Sequence, residues 1–177
     1  MSIASKNPGA FPAEHFEDVL SGNAAYVETF EDTHLSGRAA QGLAIVTCMD
    51  SRISPLDIVG MKPGDVKIVR NAGARVTDDV LRTLVLATWL LNVRRVLVIP
   101  HTDCKMASGS EADIHAAILA ESGIDTRGIE IRTVKDPEAA LATDLQRIRS
   151  FPLLPDDLVV AGAIYCVETG QLLTRDC

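Results

Sequence analysis

Leu43-Ala44-Ile45-Val46-Thr47-Cys48-Met49-Asp50-Ser51-Arg52 is the stretch whose reading decides the fold. Its first four residues are apolar without interruption, as a strand covered on both faces of a sheet should be. A polar cluster begins where that strand ends. The pattern recurs once: Val96-Leu97-Val98-Ile99 runs directly into Pro100-His101-Thr102-Asp103-Cys104. In open α/β sheets, chemistry gathers outside the carboxyl ends of the strands. Two strands would therefore deliver Cys48, His101 and Cys104 to one edge.

The flanking sequence supplies the rest of such a sheet. Residues 12–30 carry apolar residues at mixed helical spacings and predict one or two helices. Ser54-Pro55 opens a short helix, with Ser as cap and Pro at the first helical position. A turn over 62–65 leads to a strand over 66–69, and 70–74 is a loop of small residues. Thr77 or Asp78 caps a helix over 79–92, and a strand follows over 95–100. Helices are expected over 110–121 and, capped by Asp136, over 137–150, with a strand over 129–134 between them. The β-rich run 158–167, the turn Glu168-Thr169-Gly170 and Leu172-Leu173 read as a terminal hairpin. Strands alternating with helices about a dozen residues long give the expected class. It is α/β, with a mostly parallel central sheet, helices on both faces and an antiparallel C-terminal strand. The expected organisation is a helical arm over 1–40 and an α/β domain over 41–177 bearing the site, a single domain overall.

Bulk properties narrow the function. The chain has 177 residues, 47% of them hydrophobic, which suffices for one real core. A net charge of -7 provides no basic footprint, so no nucleic-acid partner is expected. No apolar run reaches the roughly 18–20 residues of a membrane span, and residues 1–10 lack the apolar core of a secretory leader. Four cysteines in such a composition read as reduced thiols, and a cytoplasmic location is the expectation. Cys166 reads as a core thiol, and Cys177 as functionally silent.

Cys48, His101 and Cys104 are the ligand types that zinc takes most readily. His101 and Cys104 are three apart, so one tight turn can present both, whereas only the fold can bring in Cys48. A set of two Cys and one His leaves a fourth tetrahedral position open, the mark of a catalytic zinc site. Taken singly, each Cys reads more readily as a buried core thiol than as a ligand. Spacing alone leaves both readings open. In an extended loop, 48, 50 and 52 point the same way, so Asp50 and Arg52 would lie beside the metal. Arg52 could then hold Asp50 ionised in a bidentate pair. Asp103 reads as a turn-former that could orient His101 or bond the loop backbone.

Cys48-Met49-Asp50-Ser51-Arg52, followed about fifty residues on by His101-Thr102-Asp103-Cys104, resembles the β-class carbonic anhydrases, whose paired motifs are Cys-x-Asp-x-Arg and His-x-x-Cys. Arg70-Asn71-Ala72-Gly73 and the closing Gly162-Ala163-Ile164-Tyr165 and Thr169-Gly170 are also similar to that family. The resemblance implies a Zn²⁺ held by Cys48, His101 and Cys104, with an Asp50–Arg52 dyad beside it. Asn71 and Gly73 would belong to a substrate-side loop. It implies reversible hydration of CO₂ to bicarbonate through zinc-bound hydroxide, in a homodimer or dimer of dimers. One position departs from the pattern. Lys105 stands where the family commonly has Gly after the second cysteine, and marks an altered pocket or a tolerated turn. Two alternatives accompany this reading. One is hydrolysis of CS₂ or COS on the same site, and the other is a non-catalytic zinc-binding relative.

Overall fold

The structure, a computed structural model, describes residues 11–31 and 34–175, so the readings of residues 1–10 and of Cys177 fall outside it. The chain divides into two compact units, Met1–Leu35 and Ser36–Cys177. In the first, a 3₁₀ turn at Ala13–His15 precedes helix α1, Glu17–Glu28, in which no residue is buried. Its aromatic rings pair with one another: the Phe11 and Phe16 centroids are 5.4 Å apart, those of Tyr26 and Phe30 5.5 Å.

The second unit is built outward from β1, Leu43–Cys48, whose six residues are all buried. β1 lies between β2, Val66–Asn71, and β3, Arg95–Ile99, parallel to both. β4, Val159–Tyr165, continues the parallel set beside β3, and β5, Leu172–Arg175, closes it antiparallel to β4. The order is β2-β1-β3-β4-β5. This is the expected class, and the terminal hairpin forms as read.

Side chains alternate across the sheet. Ala44, Val46, Val96 and Val98 pack into one buried cluster with Leu81 and Leu84 of α3, Asp78–Leu90, and Leu141, Leu145 and Ile148 of α5, Pro137–Arg149. Contact is closest at Gly162 on β4, where an added Cβ would lie 2.9 Å from Leu145 Cδ1 and 3.0 Å from Leu141 Cδ2. Any side chain there would push α5 off the sheet. The opposite face buries Leu43, Ile45 and Ile99 under Val59 and Met61, which follow the short helix α2, Pro55–Ile58. That face is thinner, and Val66, Ile68, Leu97 and Leu172 are only half-buried.

Ser54 stands at the N-cap position of α2, but its hydroxyl donates to Asp57 Oδ2 instead of capping an N–H. The caps of α3 and α5 form as read. The Thr77 hydroxyl accepts the Val80 N–H at the start of α3, and Asp136 accepts two N–H groups of α5. Helix α4, Glu111–Ser122, has a Ser110–Asp113 capping box and ends at left-handed Gly123. Among the described residues, no helix is long and apolar enough to cross a membrane.

The expected strand over 129–134 does not form. Ile129 is largely exposed, and Arg132 takes a left-handed φ of 59°, which breaks any extended run. Its backbone bonds go elsewhere: Ile131 N–H to a Glu111 carboxylate oxygen (2.7 Å) and Val134 N–H to Met106 O (2.7 Å). The segment braces the loops at the sheet edge, and 159–165 takes the place beside β3.

Candidate metal centre

The parallel register sets Thr47 opposite Ile99, and the buried Thr47 hydroxyl donates to Ile99 O at 2.7 Å, tying β1 to β3 just below the site. One residue further on β1 is Cys48, and two residues past the end of β3 is His101. The ligand atoms of Cys48, His101 and Cys104 all lie within 4.8 Å of one another. Cys48 and His101 are buried, and Cys104 is half-buried.

The histidine carries the strongest sign of a metal centre. Its Nδ1 lies 2.8 Å from Thr102 O, and a carbonyl can only accept, so Nδ1 bears the proton. Nε2 is then a lone pair, fully buried and without a hydrogen-bond partner. An orphaned buried acceptor is costly unless something fills it. Here it converges with two thiols, a donor set suited to zinc. Burial, and then the neighbouring Cys48, push the Cys104 thiol up. A cation drawing protons from both thiols would relieve that penalty.

Asp50 and Arg52 come together differently from expectation. The loop is not extended: Ile53 N–H bonds Asp50 O (3.1 Å), closing a turn from which Arg52 reaches back. Arg52 Nε donates to Asp50 Oδ1 at 3.0 Å and Nη2 to Oδ2 at 2.8 Å, while its own N–H also reaches Oδ1. The side-chain bond from Arg52 is the main reason that the Asp50 carboxyl stays well below the usual carboxylate range. Asp50 Oδ2 lies 3.8 Å from His101 Nε2, beside the three donors.

Gly73 and Asn71 have separate places. The Gly73 N–H points at Cys48 Sγ (3.4 Å), and at φ 76° an added Cβ would crowd Met106 at 3.2 Å. Only glycine suits both demands. The Asn71 side chain turns to Arg75, donating to its O and accepting its N–H, and so closes the 3₁₀ turn Ala72–Ala74. Its amide is spent on the backbone. Lys105 begins a second 3₁₀ turn, Lys105–Ala107, in an ordinary helical conformation that needs no glycine, and its O accepts the Ser108 hydroxyl.

Three groups make contacts that the reading of the sequence did not assign. Arg70 donates from Nε to Cys48 O (2.8 Å) and from Nη2 to Asp50 O (2.7 Å), clamping the loop by its carbonyls. Arg75 holds the nearly inaccessible Asp144 of α5 in a two-point pair at 2.7 and 3.3 Å, bracing the loop that carries Gly73. Asp103, at φ 54°, accepts Arg52 Nη1 on Oδ2 (2.7 Å) and Nη2 on its main-chain O (3.0 Å). The motif Arg70-Asn71-Ala72-Gly73 pointed toward the first, nothing local marks Arg75, and Asp103 is the turn residue it was read as but bonds Arg52 rather than His101. Cys166 is half-buried beyond the end of β4 rather than inside it, and bonding to the Thr169 side chain lowers its thiol.

Comparison with known proteins bears on the family and the fold. A family model described as carbonic anhydrase matches residues 43–172. A curated relative named beta-carbonic anhydrase 1, of Mycobacterium tuberculosis, is 33% identical over 156 residues, 88% of this chain and 94% of that protein. A carbon disulfide hydrolase of Acidianus is 29% identical over 154 residues, covering 73% of this chain and 75% of that one. Among solved structures, a carbonic anhydrase from Streptococcus mutans superposes with a TM-score of 0.87 at 34% identity, covering 92% of this chain and 98% of that one.

Proposed function

From the premise that this chain belongs to the β-class carbonic anhydrase family, we propose that it hydrates CO₂ reversibly to bicarbonate on a zinc ion held by Cys48, His101 and Cys104. The observation that carries the proposal is the buried, unpartnered Nε2 lone pair of His101 converging with two thiols. Zinc bound there would lower the pKa of a water in the open fourth position and supply hydroxide near neutral pH.

The protein's own groups do the rest. Asp50, kept ionised by Arg52, can only accept a hydrogen bond. It therefore accepts a hydrogen bond from the attacking oxygen, which keeps its proton, and so turns a lone pair of that oxygen toward the carbon. Arg70 fixes the carbonyls on either side of Met49 and with them the aim of Asp50. The Gly73 N–H, bonded to Cys48 Sγ, holds that sulfur in place.

We extend the proposal to assembly as a homodimer or dimer of dimers. Met49, between Cys48 and Asp50, is 67% exposed, and a dry site needs cover there. Helix α1 likewise leaves Val19, Leu20, Tyr26 and Val27 exposed, apolar surface that a second copy would bury. The three described cysteines are unpaired thiols, which supports a cytoplasmic setting.

The Acidianus relative favours a second reading, hydrolysis of CS₂ or COS on the same site. Stopped-flow CO₂ hydration, with CS₂ and COS run in parallel and zinc measured throughout, separates them. Turnover of CO₂ with about one zinc per chain is expected, with zinc lost in Cys48→Ser and Cys104→Ser. Turnover of CS₂ or COS alone replaces the first reading with the second, and full zinc in either serine variant refutes the ligand assignment.

A further inference from the structure

Arg52 is bound on two edges, and only one of them has a place in the mechanism above. A guanidinium has five N–H donors. Nε and Nη2 hold Asp50, while Nη1 and the remaining reach of Nη2 go to the Asp103 carboxylate and carbonyl, at 2.7 and 3.0 Å. Asp103 offers both oxygens because of its left-handed φ of 54°, a conformation that Asp tolerates better than most residues. Sharing does not loosen the first pair, whose two bonds remain at 3.0 and 2.8 Å.

The Asp103 side chain is 78% exposed, so solvent screens the attraction and the pair adds little to folding stability. Its effect is geometric. Asp50 and Arg52 belong to the loop after β1, and Asp103 to the loop after β3, beside Cys104. A guanidinium on a long flexible stem, held along one edge, can swing and take its carboxylate with it. Held along both edges and bridged to the other loop, it cannot. Resting on the carbonic anhydrase reading, we infer that Asp103 is a positioning residue, which fixes Arg52 across the two loops so that Arg52 keeps the Asp50 carboxylate turned toward the metal centre.

Two substitutions separate this role from turn formation. Asp103→Gly preserves the left-handed backbone and removes the carboxylate. Asp103→Asn suits the same φ and keeps one oxygen acceptor for Nη1. Asp103→Ser, too short to reach Nη1, runs beside the glycine variant in case added backbone freedom disturbs folding. The parent, these variants, Arg52→Ala and the double variant Arg52→Ala/Asp103→Gly are compared with zinc loaded.

Asp103→Gly and Asp103→Ser should lower kcat about tenfold, since small displacements at a reacting centre are costly. KM and zinc content should hold, and Asp103→Asn should recover most of the loss. On the Arg52→Ala background Asp103→Gly should change nothing further, because its effect passes through Arg52. A parental kcat in both Asp103→Gly and Asp103→Ser overturns the inference, as does a full additional loss in the double variant. A readout free of both metal and substrate is solvent exchange of the Arg52 Nε–H, followed by nitrogen-15 NMR. It should quicken in Asp103→Gly and stay slow in Asp103→Asn. If the parent fails to hydrate CO₂, the function reading falls, and this exchange alone decides on Asp103: unchanged exchange in Asp103→Gly overturns it.

Discussion

The loops after β1 and after β3 meet at one site but are held by different means. The β3 loop is fixed largely by backbone. Tyr165 N–H bonds Pro100 O, Thr102 N–H bonds Tyr165 O, and Val134 N–H bonds Met106 O, all between 2.7 and 2.9 Å. The Thr102 hydroxyl adds an acceptor for Val167 N–H. In the β1 loop, arginines hold the part that matters: Arg70 grips the Cys48 and Asp50 carbonyls, and Arg52 grips the Asp50 carboxylate. The difference tracks the chemistry. His101 and Cys104 need only constant geometry, which backbone pairing delivers. Asp50 needs constant charge as well, and only a cation supplies both.

The sharpest way to break this contrast is to neutralise the charge that the β1 loop protects. Asp50→Asn should keep zinc and lose about 10²–10³-fold in kcat, the usual cost of one misplaced electrostatic group. A parental rate with zinc verified would make the loop mere scaffold.

Removing the carbonyl clamp should cost less. Arg70→Ala is expected to lower kcat about tenfold through loop displacement, with zinc content unchanged because Cys48 belongs to β1 itself. Loss of zinc in step with activity would show that the arginine steadies the ligand rather than Asp50.

Titration sharpens the same point. Pairing depresses the Asp50 pKa in the folded state, so its contribution to stability is present above the unfolded value of about 3.9 and is lost as pH falls through the lower folded value. Asp50 should therefore remain ionised at pH values where ordinary carboxylates protonate, as read from its carboxyl carbon by NMR. Arg52→Ala should bring the midpoint up toward about 4. A midpoint that stays depressed would assign the effect to another group.

The smallest effect belongs to the backbone-held loop. Thr102→Val removes one acceptor and should cost about 1 kcal/mol of stability, seen as a lower melting temperature, with turnover close to that of the parent. A kcat loss as large as that of Arg70→Ala would erase the distinction between the loops.

Legibility in the sequence divides along similar lines. The strands β1 and β3 could be read because their runs 43–46 and 96–99 are apolar throughout, as strands covered on both faces should be. Cys48, His101 and Cys104 followed, since strand ends locate sites. Apolar residues at 129, 131 and 134 also read as a strand, but Arg132 at φ 59° and side-chain capture of the Ile131 N–H make a brace instead. Such capture leaves no local pattern. The same holds for Asp103 and Arg75, whose partners Arg52 and Asp144 lie 51 and 69 residues away. Lys105 read as a departure because glycine was expected, whereas the 3₁₀ conformation it adopts suits any residue.

The Thr47–Ile99 bond has a consequence for the order of events in folding. Its partners are 52 residues apart, and the lateral spacing of paired strands, about 4.8 Å, serves as the gauge that sets the donors within reach of one ion. A slip of one residue would turn Cys48 to the opposite side of the sheet and leave a competent-looking chain with no site. A metal held as proposed would bind only the correctly aligned chain, and its affinity would add to the stability of the β1–β3 pairing.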